Sequence, residues 1–331
     1  MTVDAIQSPT RVIAGFSDAL AAAEAYAGAT APNPPVGCVV LDAAGTTLAI
    51  GAHKRAGQAH AEAAALAACC ETGVAERIHT LLVTLEPCNH HGRTPPCVEA
   101  ILASPARRVW IATPDPNPTV AGGGGARLRD AGLDVRYLSE LDHPEAADLV
   151  RRARRLIAPF ALWARARRPW LTVKQAISRQ GDMIPPPGQR TFTSEPSLTL
   201  AHALRRRADA IITGSGTVLA DAPAFTVRRT PDPRSFSRRL AILDRRRRTP
   251  PDYIAAAEAR GFRVSLHDAL PSLVSDLAAD GVLEALVECG PTLLATVLET
   301  ALWDEHVVIR QADRPGEPDH IEWFARTADQ T

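Results

Sequence analysis

A chain of 331 residues, 46% of them hydrophobic, is long enough for two domains that each bury a core. Its 37 lysine and arginine residues balance 37 aspartate and glutamate residues, so no net charge attracts it to nucleic acid. No apolar run could span a bilayer, and the polar N-terminus lacks the layout of a signal peptide. Six cysteines, two of them adjacent, do not look like a disulfide framework, so we expect a protein of the reducing cytoplasm.

The first half of the chain alternates between helical and extended patterns. Alanine-rich stretches predict helices at residues 16–26 and 61–70, and further helices are expected at 97–103 and 126–131. Runs rich in β-branched residues predict strands at 36–41, 46–51, 78–85, 108–112 and 134–138. This alternation predicts an α/β domain, which we place at residues 1–148.

A candidate metal site lies between residues 60 and 97. His60, Cys88 and Cys97 offer one imidazole and two thiols, which can bind Zn²⁺ and leave a fourth position for water. Zinc makes such a water a usable nucleophile near neutral pH. Glu62 lies two residues after His60 and can move protons without binding the metal. This order of residues is typical of zinc-dependent nucleobase deaminases, and the alternative is a structural or redox pair of cysteines.

The residues between the two cysteines narrow the choice of family. Eight residues separate Cys88 from Cys97, and they read Asn-His-His-Gly-Arg-Thr-Pro-Pro. Together with Pro-Asn-Pro-Pro-Val-Gly-Cys-Val at 32–39, this segment resembles the deaminase half of the bifunctional riboflavin-biosynthesis deaminase/reductase family. The resemblance implies a cytidine-deaminase-like, three-layer α/β/α fold in which Asn33 contacts a pyrimidine. From the residue alone, Asn33 could equally shape the proline-rich turn.

Arginine is clustered in spite of the zero net charge. The clusters lie at residues 151–155, 165–168 and 245–248. The first two favour a solvated linker, which we place at residues 149–168, and the third favours an exposed turn. Alternatively, these clusters could bind a phosphate group of the substrate or of the cofactor. A nucleic-acid-editing deaminase would need a continuous basic face, which the sequence does not establish.

Residues 169–331 again alternate strands with helices and predict a second α/β domain. The strands are expected at 170–173, 210–214, 240–244, 263–266 and 285–288, and the helices at 197–207, 253–260, 271–280 and 291–300. Two strand-to-helix turns, at 213–217 and 289–292, could cradle a phosphate or could simply be tight turns. Residues 311–331 are expected to form a polar tail without a strand.

Several segments of this half resemble the reductase half of the same family. They are Leu204-Arg205, the run from Thr217 to Arg228, and the run from Glu288 to Leu293. The resemblance implies a dihydrofolate-reductase-like fold that uses NADPH to reduce a ribose to a ribityl chain. By position it assigns catalytic roles to Lys174, Asp221 and Glu288, and substrate contacts to Arg205, Phe225, Arg228 and Glu288. It assigns NADPH contacts to Ile177, Thr191, Thr217, Asp221, Gly290, Pro291, Thr292 and Leu293.

The second half also departs from the family pattern. The family's Ser-Leu-Asp-Gly reads Ser-Arg-Gln-Gly at 178–181, and its Trp-Ile-Thr-Ser reads Thr-Phe-Thr-Ser at 191–194. Ala222 replaces an aspartate and Arg245 replaces a serine. The family's next strand and glycine turn after residue 309 are also missing, which would shorten the reductase domain. An alternative is therefore a deaminase whose degenerate second domain serves as an oligomerisation or substrate-binding module.

The favoured interpretation is a bifunctional enzyme of riboflavin biosynthesis. Its first domain is expected to bind Zn²⁺ and to deaminate a phosphoribosylated diaminopyrimidinone by hydrolysis, with Glu62 moving the protons. Its second domain is expected to reduce the ribosyl side chain with NADPH. The expected partners are this small molecule and further copies of the chain in a homo-oligomer, with no nucleic acid and no membrane.

Overall fold

A computed structural model describes residues 8–90, 95–117, 123–186, 188–189, 191–300, 302–314 and 316–326. The chain divides into two units, Met1–Arg165 and Ala166–Thr331, and each unit has its own sheet. No helix among these described residues has both the length and the apolar character needed to cross a bilayer.

The first unit contains five helices and five strands among its described residues. The helices are α1 (Pro9–Glu24), α2 (Ala61–Glu71), α3 (Cys97–Leu102), α4 (Gly123–Asp130) and α5 (Ala146–Ala166, whose last residue belongs to the second unit). The strands are β1 (Gly37–Leu41), β2 (Thr47–Ala52), β3 (Thr80–Val83), β4 (Arg108–Ile111) and β5 (Asp134–Tyr137). They form a sheet of order β2-β1-β3-β4-β5, in which β1 is antiparallel to both neighbours and the other pairs are parallel.

Successive side chains of a strand point to opposite faces of the sheet, and here helices cover both faces. On β1, Val39 belongs to a buried cluster with Phe16 of α1 and Leu149 of α5. The next residue, Val40, belongs to a second buried cluster with Leu66 of α2. The predicted three-layer α/β/α fold is therefore confirmed.

The arginine-rich segment at 149–168 is mostly helical and is not an open linker. Leu149, Val150 and Ala153 recur on one side of α5 and are buried in the same cluster as α1. Arginines between them point away from this core, and Arg152 pairs with Glu24 of α1 at 2.6 Å. Because the two units divide after Arg165, most of the segment belongs to the first unit. The helix is thus amphipathic, with an apolar side in the core and a cationic side outside it.

The second unit also alternates strands with helices. Its strands are β6 (Trp170–Ile177), β7 (Ala210–Gly214), β8 (Arg238–Leu243), β9 (Phe262–His267), β10 (Glu284–Val287), β11 (Glu305–Arg310) and β12 (His320–Ala325). Its helices are α6 (Glu195–Arg207), α7 (Ser215–Asp221), α8 (Pro251–Ala259), α9 (Leu270–Ala279) and α10 (Pro291–Glu299). The α/β fold predicted for this half is confirmed.

The sheet of the second unit has the order β12-β11-β6-β10-β7-β8-β9. All neighbouring strands are parallel except β11 and β12. Ile211 of β7 packs in a cluster with Leu204 of α6, whereas Ile212 packs on the other face with Leu273 of α9. The carboxyl ends of β6, β10, β7, β8 and β9 therefore share one edge, between two helical layers.

The C-terminal segment contains a strand, so the prediction of a strandless tail is wrong. β12 pairs with β11 from Glu305↔Ala325 to Arg310↔His320. All residues of β12 are exposed, so no alternation of buried and exposed positions marks it as a strand. Strand β6 is also longer than predicted, since it continues to Ile177 beside β11.

Candidate functional site

The functional side chains predicted for the first unit meet at one edge of its sheet. Because β1 is antiparallel to both β2 and β3, the end of β2, the end of β3 and the start of β1 lie together. His60 follows β2, Cys88 follows β3, and Asn33 precedes β1. Cys97 is the first residue of α3. Segments that are distant in sequence thus converge at this edge.

His60, Cys88 and Cys97, hereafter the metal group, are suited to hold a metal ion. The Nδ1 atom of His60 lies 3.3 Å from the Sγ of Cys97 and 3.5 Å from the Sγ of Cys88. All three donor atoms lie within 4.8 Å of one another. One imidazole and two thiolates fit the ligand preference of Zn²⁺ and leave one tetrahedral position open. Within the described part of the chain this is the one such group, and Cys69 and Cys70 are outside it.

Part of the segment that carries the family resemblance, residues 91–94, falls outside the described residues, as do residues 118–122. His90 is described and does not join the metal group. Helix α4 begins with three glycines, Gly123 to Gly125. A Cβ atom at Gly124 would lie 1.9 Å from the carbonyl oxygen of Pro87. Glycine therefore lets α4 approach the backbone next to a metal ligand.

Glu62 lies in the first turn of α2, and 3% of its surface is exposed. Burial raises the pKa of this carboxyl group to about 7. A group that titrates near neutral pH can both accept a proton and release it again.

The pKa of the Cys88 thiol is lowered to about 4, mainly by its hydrogen bond with the Cys97 thiol. Cys88 is therefore available as a thiolate ligand.

His53, which sequence reasoning missed, links Asn33 to the metal group. The His53 ring meets the His60 ring edge to face, with centroids 5.1 Å apart. Its Nδ1 lies 3.1 Å from the carbonyl oxygen of Ala59, so this nitrogen must carry the proton. Burial lowers the pKa of His53, and in the neutral ring Nε2 accepts from Nδ2 of Asn33 at 3.1 Å. The Oδ1 atom of Asn33 is thereby left to accept a hydrogen bond from a ligand.

Glu86 fixes the loops around this edge and was also missed. Its carboxylate accepts hydrogen bonds from the backbone N–H of Gly125 at 2.8 Å and of Asp115 at 3.3 Å. The backbone N–H of Glu86 in turn donates to the carbonyl oxygen of Thr113. One buried carboxylate, two residues before Cys88, therefore ties α4 and the loop after β4 to the ligand turn. An isolated glutamate carries no sequence signal for such a role.

The second unit contains a cavity of about 1580 Å³ along the carboxyl edge of its sheet. Nearly all residues predicted to bind substrate or cofactor line it, namely Lys174, Thr191, Arg205, Thr217, Asp221, Phe225, Arg228, Glu288, Gly290, Pro291, Thr292 and Leu293. The exception is Ile177. Lys174 and Ala176 line the cavity, so alternation along β6 turns Ile177 to the opposite face of the sheet.

Lys174, Arg205 and Glu288, hereafter the ion-pair network, form the polar centre of the cavity. The Glu288 carboxylate lies 3.1 Å from Nζ of Lys174 and accepts from Nε of Arg205 at 2.6 Å. Glu288 is 5% exposed. Burial alone would raise its pKa, but the two cations outweigh burial and hold the pKa at about 2. The Glu288 carboxylate therefore stays ionised at every physiological pH.

The loop from Ala222 to Arg228 is held in a strained conformation beside this network. Ala222 and Phe225 have φ angles of 39° and 52°, which residues other than glycine rarely adopt. His202 accepts a hydrogen bond from the backbone N–H of Arg228 at 3.0 Å. Burial and neighbouring arginine charges lower the pKa of His202 to about 4, so it remains a neutral acceptor. Such enforced strain is common where a loop positions ligand groups, and sequence reasoning had not identified His202.

Two glycine turns between the strands offer room for the phosphate groups of a nucleotide cofactor. The turn after β10 is joined to α7 by a hydrogen bond from the N–H of Gly290 to Oγ1 of Thr217, at 2.9 Å. A Cβ atom at Gly216 would meet nothing within 4 Å, and one at Gly290 would meet only this hydroxyl, at 3.5 Å. The first turn of α10, from Pro291 to Leu293, lines the same cavity. The residues present therefore fit such a group.

Because the metal group contains the candidate zinc ligands, replacing one of them should lower the zinc content of the protein. Cys97→Ser should reduce zinc from one ion per chain to a small fraction of that, because a hydroxyl is a poor zinc ligand. Cys70→Ser, an exposed cysteine outside the group, should leave zinc content unchanged. Elemental analysis of both purified variants measures this. Equal loss of zinc from the two variants would contradict the assignment of ligands.

Comparison with known proteins bears on both units. Residues 14–113 match the family model for the cytidine and deoxycytidylate deaminase zinc-binding region, and residues 169–310 match the RibD C-terminal domain. The riboflavin biosynthesis protein RibD of Aquifex aeolicus is 34% identical over 313 residues, which cover 88% of this chain and 84% of the relative. The Escherichia coli RibD protein is 33% identical over 312 residues, covering 84% and 82%.

Solved structures give the same result. A diaminohydroxyphosphoribosylaminopyrimidine deaminase/5-amino-6-(5-phosphoribosylamino)uracil reductase from Thermotoga maritima has a TM-score of 0.79 at 27% identity, covering 94% of this chain and 89% of that one. Acinetobacter baumannii RibD has a TM-score of 0.77 at 30% identity, with the same coverage of 94% and 89%. The chain belongs to the RibD family of riboflavin biosynthesis proteins.

Proposed function

We propose that this chain catalyses two consecutive steps of riboflavin biosynthesis, a hydrolytic deamination in the first unit and a reduction in the second. The substrate is a phosphoribosylated diaminopyrimidinone. The observation that carries the proposal is that each unit holds the groups for one step. The metal group lies beside the buried carboxyl of Glu62, and the ion-pair network lies in a cavity large enough for a substrate and a cofactor.

Deamination replaces an amino group of the pyrimidine ring by oxygen from water. The metal group would hold zinc, which as a Lewis acid would make it easier for water to lose a proton and act as a nucleophile. Glu62 takes a proton from the attacking water and delivers it to the leaving nitrogen, so that ammonia departs as the C–N bond breaks. Its pKa near 7 suits both transfers. Asn33, oriented by His53, accepts a hydrogen bond from the pyrimidine.

Reduction converts the ribosyl side chain into a ribityl chain. NADPH, when bound, would supply the hydride for C1′ of the sugar, and the chain would have to deliver a proton to the oxygen released when the sugar ring opens. Lys174 is the candidate donor of this proton, because it lines the cavity and is held 3.1 Å from Glu288. Arg228 is exposed at the cavity and would take the substrate phosphate. Thr191, Thr217, Asp221 and the turn from Gly290 to Leu293 would contact NADPH.

A degenerate second domain is the rival to this proposal. Its motivation was the set of departures from the family pattern, among them Ala222 and Arg245. Both residues line the cavity, and neither interrupts the ion-pair network. The network, the strained loop and the glycine turns would have no reason to persist together in a domain that no longer bound substrate and cofactor. These observations favour an active reductase.

The assembly of the chain and its compartment remain predictions. A homo-oligomer would explain why Ile321 and Phe324, on the edge strand β12, are 40% and 47% exposed. A cytoplasmic location would keep Cys88 and Cys97 reduced and able to bind zinc.

Replacing Glu62 by glutamine tests the deamination step. Glu62→Gln should lower ammonia release by at least about 100-fold, because the amide cannot accept a proton. Zinc content should be unchanged, since Glu62 is not a ligand. Glu71→Gln, at the exposed end of the same helix, is the matched control and should keep full activity. Loss of zinc from Glu62→Gln would mean that the proposed role is wrong.

Replacing Lys174 by glutamine tests the reduction step. Lys174→Gln should lower NADPH oxidation by about 100-fold or more, because the proton donor is gone, and should leave ammonia release unchanged. Glu288 would keep Arg205 as its partner, so the fold should persist. Arg263→Gln removes an exposed cation from β9 and serves as the control. A parallel fall of ammonia release in Lys174→Gln would show that the two reactions are not separate.

A further inference from the structure

The connection from β6 to α6, residues 178–194, forms one wall of the cavity in the second unit, which Thr191 and Thr193 line. Its described residues contain no helix or strand. In a compact domain, a connection of more than about 15 residues without such elements is uncommon unless it has a function. Between residues 182 and 193 the described hydrogen bonds stay within the connection. The hydrogen bonds that tie this wall to the rest of the unit lie at its two ends.

The first tie joins the start of the connection to the residues that follow β11. The backbone N–H of Arg179 donates to Oε1 of Gln311 at 3.2 Å, and Nη1 of Arg179 donates to the carbonyl oxygen of Asp313 at 3.1 Å. Arg179 stands where the resembled pattern has leucine. Gln311 and Asp313 follow the point at which this chain lacks the strand and glycine turn of that pattern. Two departures from the pattern are therefore in contact with each other.

The second tie joins the end of the connection to Asp319, which immediately precedes β12. Oδ2 of Asp319 accepts hydrogen bonds from the backbone N–H of Ser194 at 2.8 Å and from its hydroxyl at 2.9 Å. Oδ1 accepts a hydrogen bond from the backbone N–H of Ala312 at 3.1 Å. Burial alone would raise the pKa of Asp319, but hydrogen bonds from Ser197, Ser194 and Ala312 outweigh burial and lower it. Both carboxylate oxygens are thus engaged, one on each side of the tie.

This tie also fixes the start of α6, because Ser194 is the N-cap residue of that helix. The Ser194 hydroxyl does not cap the helix in the usual way and donates to Asp319 instead. The carboxylate lies beside the end of the helix where the dipole favours negative charge. Ser197, in the first turn of α6, is buried and lines the cavity, and Arg205 of the ion-pair network lies further along the same helix. The position of α6 therefore links Asp319 to the cavity.

Asp319 and Ser194 can act on a ligand only through other residues. The described lining of the cavity includes Thr191, Thr193 and Ser197 but neither Asp319 nor Ser194. A wall that is already held in place spares a ligand the entropy cost of ordering it. The tie would therefore raise the affinity of the cavity for its ligands without contacting them.

We infer that Asp319 is a positioning residue of the reductase site, which holds Thr191, Thr193 and the start of α6 in the geometry that binds NADPH. The inference rests on the proposed reductase function. It makes the residues after β11 a working part of the second unit, although they depart from the resembled pattern. The rival explanation is that Asp319 stabilises the fold alone, in which case its loss would lower the melting temperature without changing cofactor affinity.

Binding of NADPH to the full chain tests the inference. Asp319→Ala should weaken NADPH binding by about 10-fold in isothermal titration calorimetry, because charge-assisted hydrogen bonds that hold the wall are lost. Ammonia release by the first unit should be unchanged. Ser194→Ala keeps the backbone N–H that donates to Asp319 and should weaken binding by about 3-fold. Asp313→Ala removes an exposed carboxylate from the same segment but keeps its carbonyl oxygen, so this control should bind NADPH like the unmodified chain.

Hydrogen exchange followed by mass spectrometry gives a second readout that needs no ligand. Peptides covering residues 191–198 should exchange faster in Asp319→Ala than in the unmodified chain. Peptides from β7 and β10 should exchange at unchanged rates, because the tie acts locally. A general loss of stability would instead accelerate exchange throughout the unit.

The outcomes separate this inference from the proposed function. Weaker NADPH binding by Asp319→Ala, with faster exchange confined to the wall, supports the positioning role. Equal NADPH affinity of Asp319→Ala and the unmodified chain overturns it, even if the melting temperature falls. Unchanged exchange of the wall, acceleration throughout the unit, or equal weakening in Asp313→Ala also overturns it. Failure of the unmodified chain to bind NADPH would contradict the proposed reductase function itself, and the inference would fall with it.

Discussion

The direction in which neighbouring strands run, which decides the segments that meet at one sheet edge, is the constraint on which both sites depend. In the first unit it brings together the ends of β2 and β3, the start of β1 and the first residues of α2 and α3, so that His60, Cys88 and Cys97 meet within 4.8 Å. In the second unit one sheet edge carries Lys174, Glu288, the two glycine turns and the arginines that follow β8. Strand direction therefore determines the position of the chemistry, and side-chain identity determines its type.

The partners of each buried acid then set its charge state at these edges. Glu62 and Glu288 are almost equally buried, yet the pKa of the first is raised to about 7 and that of the second is held at about 2. The difference arises because Glu288 has two cationic partners, whereas desolvation dominates at Glu62. One carboxyl can therefore exchange protons, while the other remains a fixed anion that orients Lys174. This division of roles matches a hydrolytic step in one unit and a reductive step in the other.

Much of this could be predicted from sequence, and the limits have physical causes. The donor types and spacing of His60, Cys88 and Cys97 identify a metal group because few other combinations offer such ligands. His53, Glu86 and His202 escaped prediction because they act through contacts between distant segments, for which single residues carry no pattern. The family motif gave Ile177 a position in the chain but no strand face, and Ile177 does not line the cavity. The exposed strand β12 lacked the buried alternation that identifies a strand.

The central claim is that one chain performs both reactions, and isotope transfer tests it most directly. The purified protein would be given the phosphoribosylated diaminopyrimidinone and NADPH carrying deuterium at both C4 positions, and the product would be analysed by mass spectrometry. We expect one ammonia released per product and one deuterium in the ribityl chain. Release of ammonia with no deuterium in the product would contradict the account, and the second unit would then bind without reducing.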